Sequence, residues 1–336
     1  MSTASLVPET RGLSGDDAWA TLRRTGRRRL LADTFVRMRV ADGFSHARSL
    51  AFMTALAAVQ GVIALVGLAG VVGGSGFSTV VGATVRAAVP GPAGQALTAA
   101  VAHAHATGAQ HRWPALVFGT IGTLVTATTA FGQLERALNR LYGVEQDRPT
   151  LEKYGRAFVL ALTAGSASAL AFVSLALGKD LLVHATSGAL STLWNGGRWV
   201  VGTVLLGVAV TVILRACPRR CQPRFSWLAF GAGISVLGTL VVTVALGAFF
   251  RTSTSFGQTY GPLAGTVALL LWTLLSSIMM IYGAAVAAQL EAVRAGAATP
   301  QDAEKVAESE PEAPTHRAAT SAPAGDAAPT GVRAAS

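Results

Sequence analysis

Residues 199–250 read WVVGTVLLGVAVTVILRACPRRCQPRFSWLAFGAGISVLGTLVVTVALGAFF. Two apolar runs, Trp199–Leu214 and Trp227–Phe250, contain no Asp, Glu, Lys, Arg or His, and a short connector between them holds Arg215, Arg219, Arg220 and Arg224. A helix needs ~20 apolar residues to cross a ~30 Å hydrocarbon layer. The first run is short, but Arg198 and Arg215 flank it and can reach the two interfaces with their long stems. The segment therefore reads as a membrane hairpin with a basic turn.

Four more charge-free runs extend the pattern: Leu50–Val72, Pro114–Gly132, Ala157–Gly178 and Leu263–Leu290. Lys and Arg fall almost entirely into every second gap. Nine precede the first run, five lie between the second and third, four between the fourth and fifth, and four follow the sixth. The other gaps hold only Arg86, Arg112, Lys179, Arg198 and Arg251. Basic loops are retained in the cytoplasm during insertion, so the richer side is inside. The expected fold is an all-α, polytopic six-helix transmembrane bundle with cytoplasmic N- and C-termini.

An apolar fraction of 51% with 13% charged residues is outside the soluble range. The net charge of +10 is then a topology signal and an attraction to anionic head groups, and it gives no reason to expect nucleic acid. The first apolar run is too long for a cleaved signal and reads as an anchor. The two cysteines, Cys217 and Cys221, fall in the connector assigned to the cytoplasm and are expected to be reduced thiols. With no further Cys or His nearby they supply half a zinc site at most.

Three regions follow from these runs. Residues 1–46 form a basic arm: the first thirteen read as disordered, Ser14 and Asp17 have the spacing of a helix start, and Trp19, Leu22, Leu30 and Phe35 punctuate Arg23, Arg24, Arg27, Arg28 and Arg29. Such a segment either lies on the inner leaflet or is a solvated arm that fixes orientation. Residues 47–292 form the membrane domain. Residues 293–336, rich in Ala, Pro, Glu and Thr, read as a disordered tail.

The exterior gap of about forty residues between the first two spans should fold into two short amphipathic helices, Phe77–Val89 and Gln95–His105. His103, His105 and His111 lie there, but the first two would point apart on a helix and no carboxylate is near, so no metal is expected. No cofactor is expected either.

FGQLERALNRLYGV, at the cytoplasmic end of the second span, has three distinct helical faces. Glu135, Asn139 and Tyr142 share one, Leu134, Leu138 and Leu141 a second, and Arg136 and Arg140 a third. The first face either caps and anchors the helix end or lines a substrate path, with the two arginines at phosphate head groups. At the exterior end, Gly257–Pro262 reads as a tight interfacial turn with Tyr260 in the aromatic belt; Gln258 and Thr259 either line an outer vestibule or belong to a plain turn, and Gln258 and Tyr260 are the candidate contacts there. Small residues recur so often through the spans that no single helix contact stands out.

ALNRLYGV, TYGPLAG and LLLWTLLSSIMMIYGAAVAAQLEA, in this order across residues 45–292, resemble the YihY/virulence factor BrkB family of bacterial inner-membrane proteins. The resemblance implies six spans, cytoplasmic termini and an envelope-associated role. Where that family usually has a Glu after the Gly of the last span, this chain has Ala284 and Ala285 after Gly283. The label ribonuclease BN, once attached to such proteins, has no support in these residues. The spans carry no ionisable group, and no His and Asp cluster occurs in the cytoplasmic loops.

Ion-coupled carriers and charge-selective channels place ionisable groups within the membrane. Their absence points to a non-enzymatic transporter or flippase-like protein for a lipid or amphipathic envelope component, its head group near Glu135, Arg136, Asn139, Arg140 and Tyr142. The alternative is a scaffold or assembly factor that binds other envelope proteins and moves nothing.

Overall fold

The computed structural model describes residues 3–72, 82, 89–176, 189–297 and 300, and no strand occurs among them. The helices are α1 Gly15–Thr25, α2 Arg27–Val40, α3 Gly43–Val72, α4 Gly91–Tyr142, α5 Thr150–Leu160, α6 Ser166–Ala176, α7 Ala189–Ala216, α8 Phe225–Thr252, α9 Thr254–Tyr260 and α10 Ala264–Arg294. Gly26 (φ 82°) breaks α1 from α2, and Gly143 (φ 78°) ends α4 in a left-handed conformation that costs glycine little.

Among the described residues, five helices are long and apolar enough to cross a membrane: Gly43–Leu68, Trp113–Tyr142, Trp199–Ala216, Phe225–Thr252 and Ala264–Arg294. Their outward faces are apolar. Phe118, Ile121 and Val125 form an exposed stripe on α4, and Leu237, Val241 and Val244 form one on α8 at 61–72% exposure. Continuous patches of that kind are the mark of lipid contact.

The third expected span, Ala157–Gly178, is not a single α-helix. Residues 150–176 are helical throughout, but a π-helical turn at Ala161–Gly165 divides them into α5 and α6, neither of which alone has crossing length. Two other expectations need correction. Gln95–His105 is not a separate short helix: α4 runs unbroken for 52 residues through Pro114 into the second span. Pro114 removes one backbone donor without ending the helix, as prolines in membrane helices can where neighbouring groups take up the freed carbonyl. Phe77–Val89 lies outside the described residues except for Gly82 and Val89, as do the side chains of His103, His105 and His111.

Residues 3–13, expected to be disordered, form an ordered strap without helix or strand. Ala4 and Val7 are buried, and their N–H groups donate to the carbonyls of Arg140 (3.2 Å) and Tyr142 (3.1 Å). Of the expected tail, only residues 293–297 and 300 are described.

α10 is the hub, packed on α2, α3, α4 and α8. Its stretch Gly283–Ala292 is wholly buried. Two antiparallel crossings bring backbones into contact: Gly67 and Gly119 bring α3 onto α4, and Gly231 and Gly283 bring α8 onto α10. In lipid such approaches supply van der Waals contact where no hydrophobic drive exists between helices. Many polar groups in the spans are satisfied locally, the hydroxyls of Thr128 and Ser276 being exceptions. The hydroxyls of Thr211, Thr239, Thr243 and Ser168 donate to the carbonyl one turn back, and Thr126 lies 2.8 Å from Gln60 Oε1 on α3.

Candidate functional site at the basic end of the bundle

The ends of α4, α7 and α10, the start of α5 and the strap meet at one end of the molecule, where two polar clusters form. The first is centred on Asp147, in the turn after α4. It accepts hydrogen bonds from Arg136 Nε (3.2 Å), Asn139 Nδ2 (3.0 Å) and Lys153 Nζ (2.9 Å). The other amide atom of Asn139, Oδ1, accepts the N–H of Arg219 at 2.8 Å and so ties α4 to the α7–α8 connector.

Beside it, Arg148 donates to the carbonyls of Cys217 (2.8 Å) and Pro218 (2.9 Å). Its Nη1 also lies 2.9 Å from Glu135 Oε1. That contact is ionic, because Oε1 is not aligned as a hydrogen-bond acceptor. Both side chains are buried. A buried pair of this kind locks the connector to α4.

The second cluster lies around Tyr142. Arg220 stacks on the Tyr142 ring with its guanidinium carbon 4.5 Å from the centroid, and its Nη2 donates to Glu291 Oε1 (2.6 Å) and to the strap carbonyl of Pro8 (3.2 Å). Thr10 of the strap donates its hydroxyl to the same Glu291 oxygen at 2.6 Å. Arg37, fully buried, donates to Gln289 Oε1 (2.7 Å), to the carbonyls of Leu141 (2.9 Å) and Ser5 (3.1 Å), and to Ser5 Oγ (3.2 Å). Arg140 donates to Thr3 Oγ1 at 2.7 Å.

The sequence-derived site residues thus divide. Glu135, Arg136, Asn139, Arg140 and Tyr142 converge at this end, each with a protein partner. Gln258 and Tyr260 are exposed at the opposite end, on or at the end of the short helix α9. The expected turn there is displaced to Gly261 (φ 48°) and the 3-10 turn Gly261–Leu263. A 28-residue helix such as α8 spans ~42 Å, so the two groups form no common site. Asp147, Arg148, Arg37, Arg220, Gln289 and Glu291 join the site only in the structure; the sequence signals were the charge of the connectors and basic arm and, for Gln289, a polar side chain within an apolar span.

Partial burial pushes the Asp147 carboxyl up, but the hydrogen bonds from Asn139, Lys153 and Arg136 outweigh it and hold it at about 2. A depressed carboxylate contributes stability above its ordinary range and loses it as pH falls toward the folded value. Asp147→Asn is therefore expected to lower the melting temperature in detergent at pH 7, and the difference from the parent should shrink from pH 4 downward. A difference independent of pH would contradict the charge-based clamp. Burial, with Glu135 nearby, pushes the Cys217 thiol up to about 12, whereas Cys221 is exposed. Among the described residues no group of three or more His, Cys, Asp or Glu could hold a metal ion.

The match to a family fits this architecture: the sequence model described as virulence factor BrkB aligns with residues 34–308, from α2 past the end of α10. The chain belongs to the virulence factor BrkB family.

Among curated relatives, the ribonuclease-like protein YfkH of Bacillus subtilis (strain 168) is 24% identical over 181 residues, covering 52% of this chain and 65% of that protein. The UPF0761 membrane protein AZOSEA40600 of Aromatoleum aromaticum is 29% identical over 182 residues, 52% of this chain and 42% of its own. A UPF0761 membrane protein of Halorhodospira halophila is 26% identical over 183 residues, 52% of this chain and 39% of its own. The chain thus spans less than two thirds of these relatives. No solved structure matches. In this BrkB protein, Ala284 and Ala285, which stand where the resemblance leads one to expect a carboxylate, are fully buried against neighbouring helices. The buried carboxylate of the last helix is Glu291, two turns further on.

Proposed function

We propose that this BrkB protein sits in the bacterial cytoplasmic membrane and handles a lipid or another amphipathic envelope component from within the bilayer, as a transporter or flippase-like protein without a catalytic step. The observation that carries the reading is a groove of about 370 Å³ between α4 and α5, lined by Leu124, Val125, Thr128, Thr129, Tyr154 and Phe158. It lies on the apolar outer face. Lys153 adjoins Tyr154 in sequence, and Arg136 is two helical turns beyond Thr129 on α4. An acyl chain in the groove would bring an anionic head group toward these cations. The hydroxyl of Thr128 is buried without a protein hydrogen-bond partner.

Six crossings are part of this reading. Asn139 and Arg148 bond the connector that follows α7, so the chain starts and ends its path from residue 148 to residue 217 at the same end of the bundle. α7 accounts for one traverse, which supports a second by residues 150–176, a helical run of ~40 Å. The contact of Thr10 with Glu291 supports both chain ends lying on one side, and the basic residues favour the cytoplasm for it. Exposed Arg28, Leu31, Phe35 and Arg39 along α2 suit the anionic inner leaflet, at ~1 kcal/mol per cation.

A photoreactive amino acid at Thr128 is expected to cross-link membrane lipid in intact cells, and the same group at exposed Val241 on α8 to give a weaker, unselective product. Equal, unselective labelling at both positions would count against a lipid site. The scaffold reading, with envelope proteins as partners, draws on the closure of the basic end by the strap. It expects protein cross-links from α1 and α2 and none to lipid from Thr128.

A further inference from the structure

The strap is held by arginines that bond it mainly through neutral oxygens, with Glu9 its one carboxylate near Arg220. Arg37 is fully buried, and each of its hydrogen bonds goes to a neutral oxygen, two of them on Ser5. Arg220 bonds the strap through Pro8, while its Nε and Nη1, also buried, have no partner, and neither has Nε2 of Gln289. Arg37 is buried against neutral hydrogen-bond acceptors, with the charge of Asp33 one turn back on α2 nearby. The two unmet N–H groups of Arg220, which Glu291 already pairs through its third nitrogen, add to the cost of burial. Such donors suit an anion better, because a hydrogen bond to a charged acceptor is roughly twice as strong as a neutral one. The guanidinium fork matches the oxygens of phosphate.

The strap is docked without being part of a helix or sheet. Glycine at position 143 lets its backbone lie against the end of α4, where any Cβ would meet Leu6. A terminal segment held by side-chain bonds, with Ala4 and Val7 its buried apolar anchors, can leave as a unit without unfolding the helices.

We propose that residues 3–13 are a displaceable plug seated on a phosphate-binding site formed by Arg37, Arg220 and Gln289 beside the Tyr142 ring. Ser5 and Pro8 fill with neutral oxygens the positions that phosphate oxygens take once the plug leaves. Glu291 remains paired with Arg220 and offers its free oxygen, Oε2, to a protonated phosphate. The phosphate belongs either to a free ion or to a lipid head group. The site stands on the strap geometry and does not depend on the groove between α4 and α5.

The reporter is a cysteine placed on the strap itself. Glu9 and Arg11 hold the strap against Cys221 but leave that thiol exposed, whereas Val7 of the strap is 2% exposed and Cys217 is buried. Maleimide labelling of Val7→Cys in a Cys221→Ser background of the purified full-length protein should accelerate about tenfold when phosphate shifts the strap to its open state. Inorganic phosphate in detergent, against chloride at equal ionic strength, tests the free ion. Nanodiscs containing phosphatidic acid, against phosphatidylcholine alone, test the head group. Acceleration by either source, lost in Arg37→Gln, supports the site and identifies the ligand. Should Arg37→Gln not fold, Ser5→Ala combined with Thr10→Val, which loosens the strap and keeps the arginines, should respond at lower phosphate than the parent. An unchanged labelling rate with both sources, or a response that survives in Arg37→Gln, overturns the proposal. In the loosened variant, an unshifted phosphate midpoint does the same.

Discussion

Arg148→Ala is expected to cost about 3–5 kcal/mol of stability, the penalty for breaking a buried ion pair by removing one partner. The loss leaves Glu135, 2% exposed, without its cation and strips the carbonyls of Cys217 and Pro218 of their donors. Glu152 provides the contrast. It lies 3.5 Å from the same guanidinium but its side chain is 59% exposed, so Glu152→Ala should cost less than about 1 kcal/mol. Replacing both members of the buried pair, Glu135→Leu with Arg148→Met, should recover much of the loss, since apolar side chains of similar volume remove the desolvation penalty. Chemical unfolding in detergent, followed by tryptophan fluorescence, reads all three. Equal losses for Arg148→Ala and Glu152→Ala would show that burial of the pair is not what matters.

The second large effect is steric. A Cβ at Gly283 would meet the Ser235 side chain and the Gly231 carbonyl oxygen, and one at Gly231 would sit 2.6 Å from the Gly283 carbonyl oxygen. Both obstacles are parts of a helix wall, so α8 and α10 must separate. Gly283→Ala should cost ~1–3 kcal/mol as an overpacked core, and Gly283→Leu should abolish the folded form. Gly233, on the same helix as Gly231, has nothing within 4 Å of its Cβ position. Gly233→Ala should be neutral or stabilising by ~0.5–1 kcal/mol, the ordinary helix preference of alanine over glycine. If Gly233→Ala and Gly283→Ala behave alike in size-exclusion profile and melting temperature, the close crossing is not the determinant.

These two sites also show how far sequence alone reaches. The apolar face of Leu134, Leu138 and Leu141 was legible from its spacing, and all three are buried. So were the apolar helices themselves, because absence of charge over crossing length is a local property. The partners of Glu135 and Asn139 were not. Arg148 lies within reach in sequence, but Arg219 is 80 residues from Asn139, and only the fold brings them together. The strap shows the same limit. Its polar, Pro-containing composition reads as disorder, and its order comes from Arg37, Arg140 and Arg220, which reach it from three other elements. The crossing glycines were hidden by their abundance, and the π turn at Ala161–Gly165 has only ALTAG to announce it. The loop composition, with Gly108 in it, read as a short helix ending at His105, yet the helix runs on through Gly108 and Pro114 for 52 residues.

The central claim is that lipid or a lipid-like molecule is handled from within the bilayer beside α4 and α5. The most direct test reconstitutes the full-length protein into vesicles whose outer and inner leaflets carry a head-group-labelled anionic lipid, and follows loss of signal after an impermeant quencher is added. Leaflet exchange that depends on the protein, and that falls when Thr128→Trp fills the groove while the protein stays folded, is the result expected. Protein-containing and empty vesicles that quench alike, across anionic and zwitterionic lipids, would contradict it.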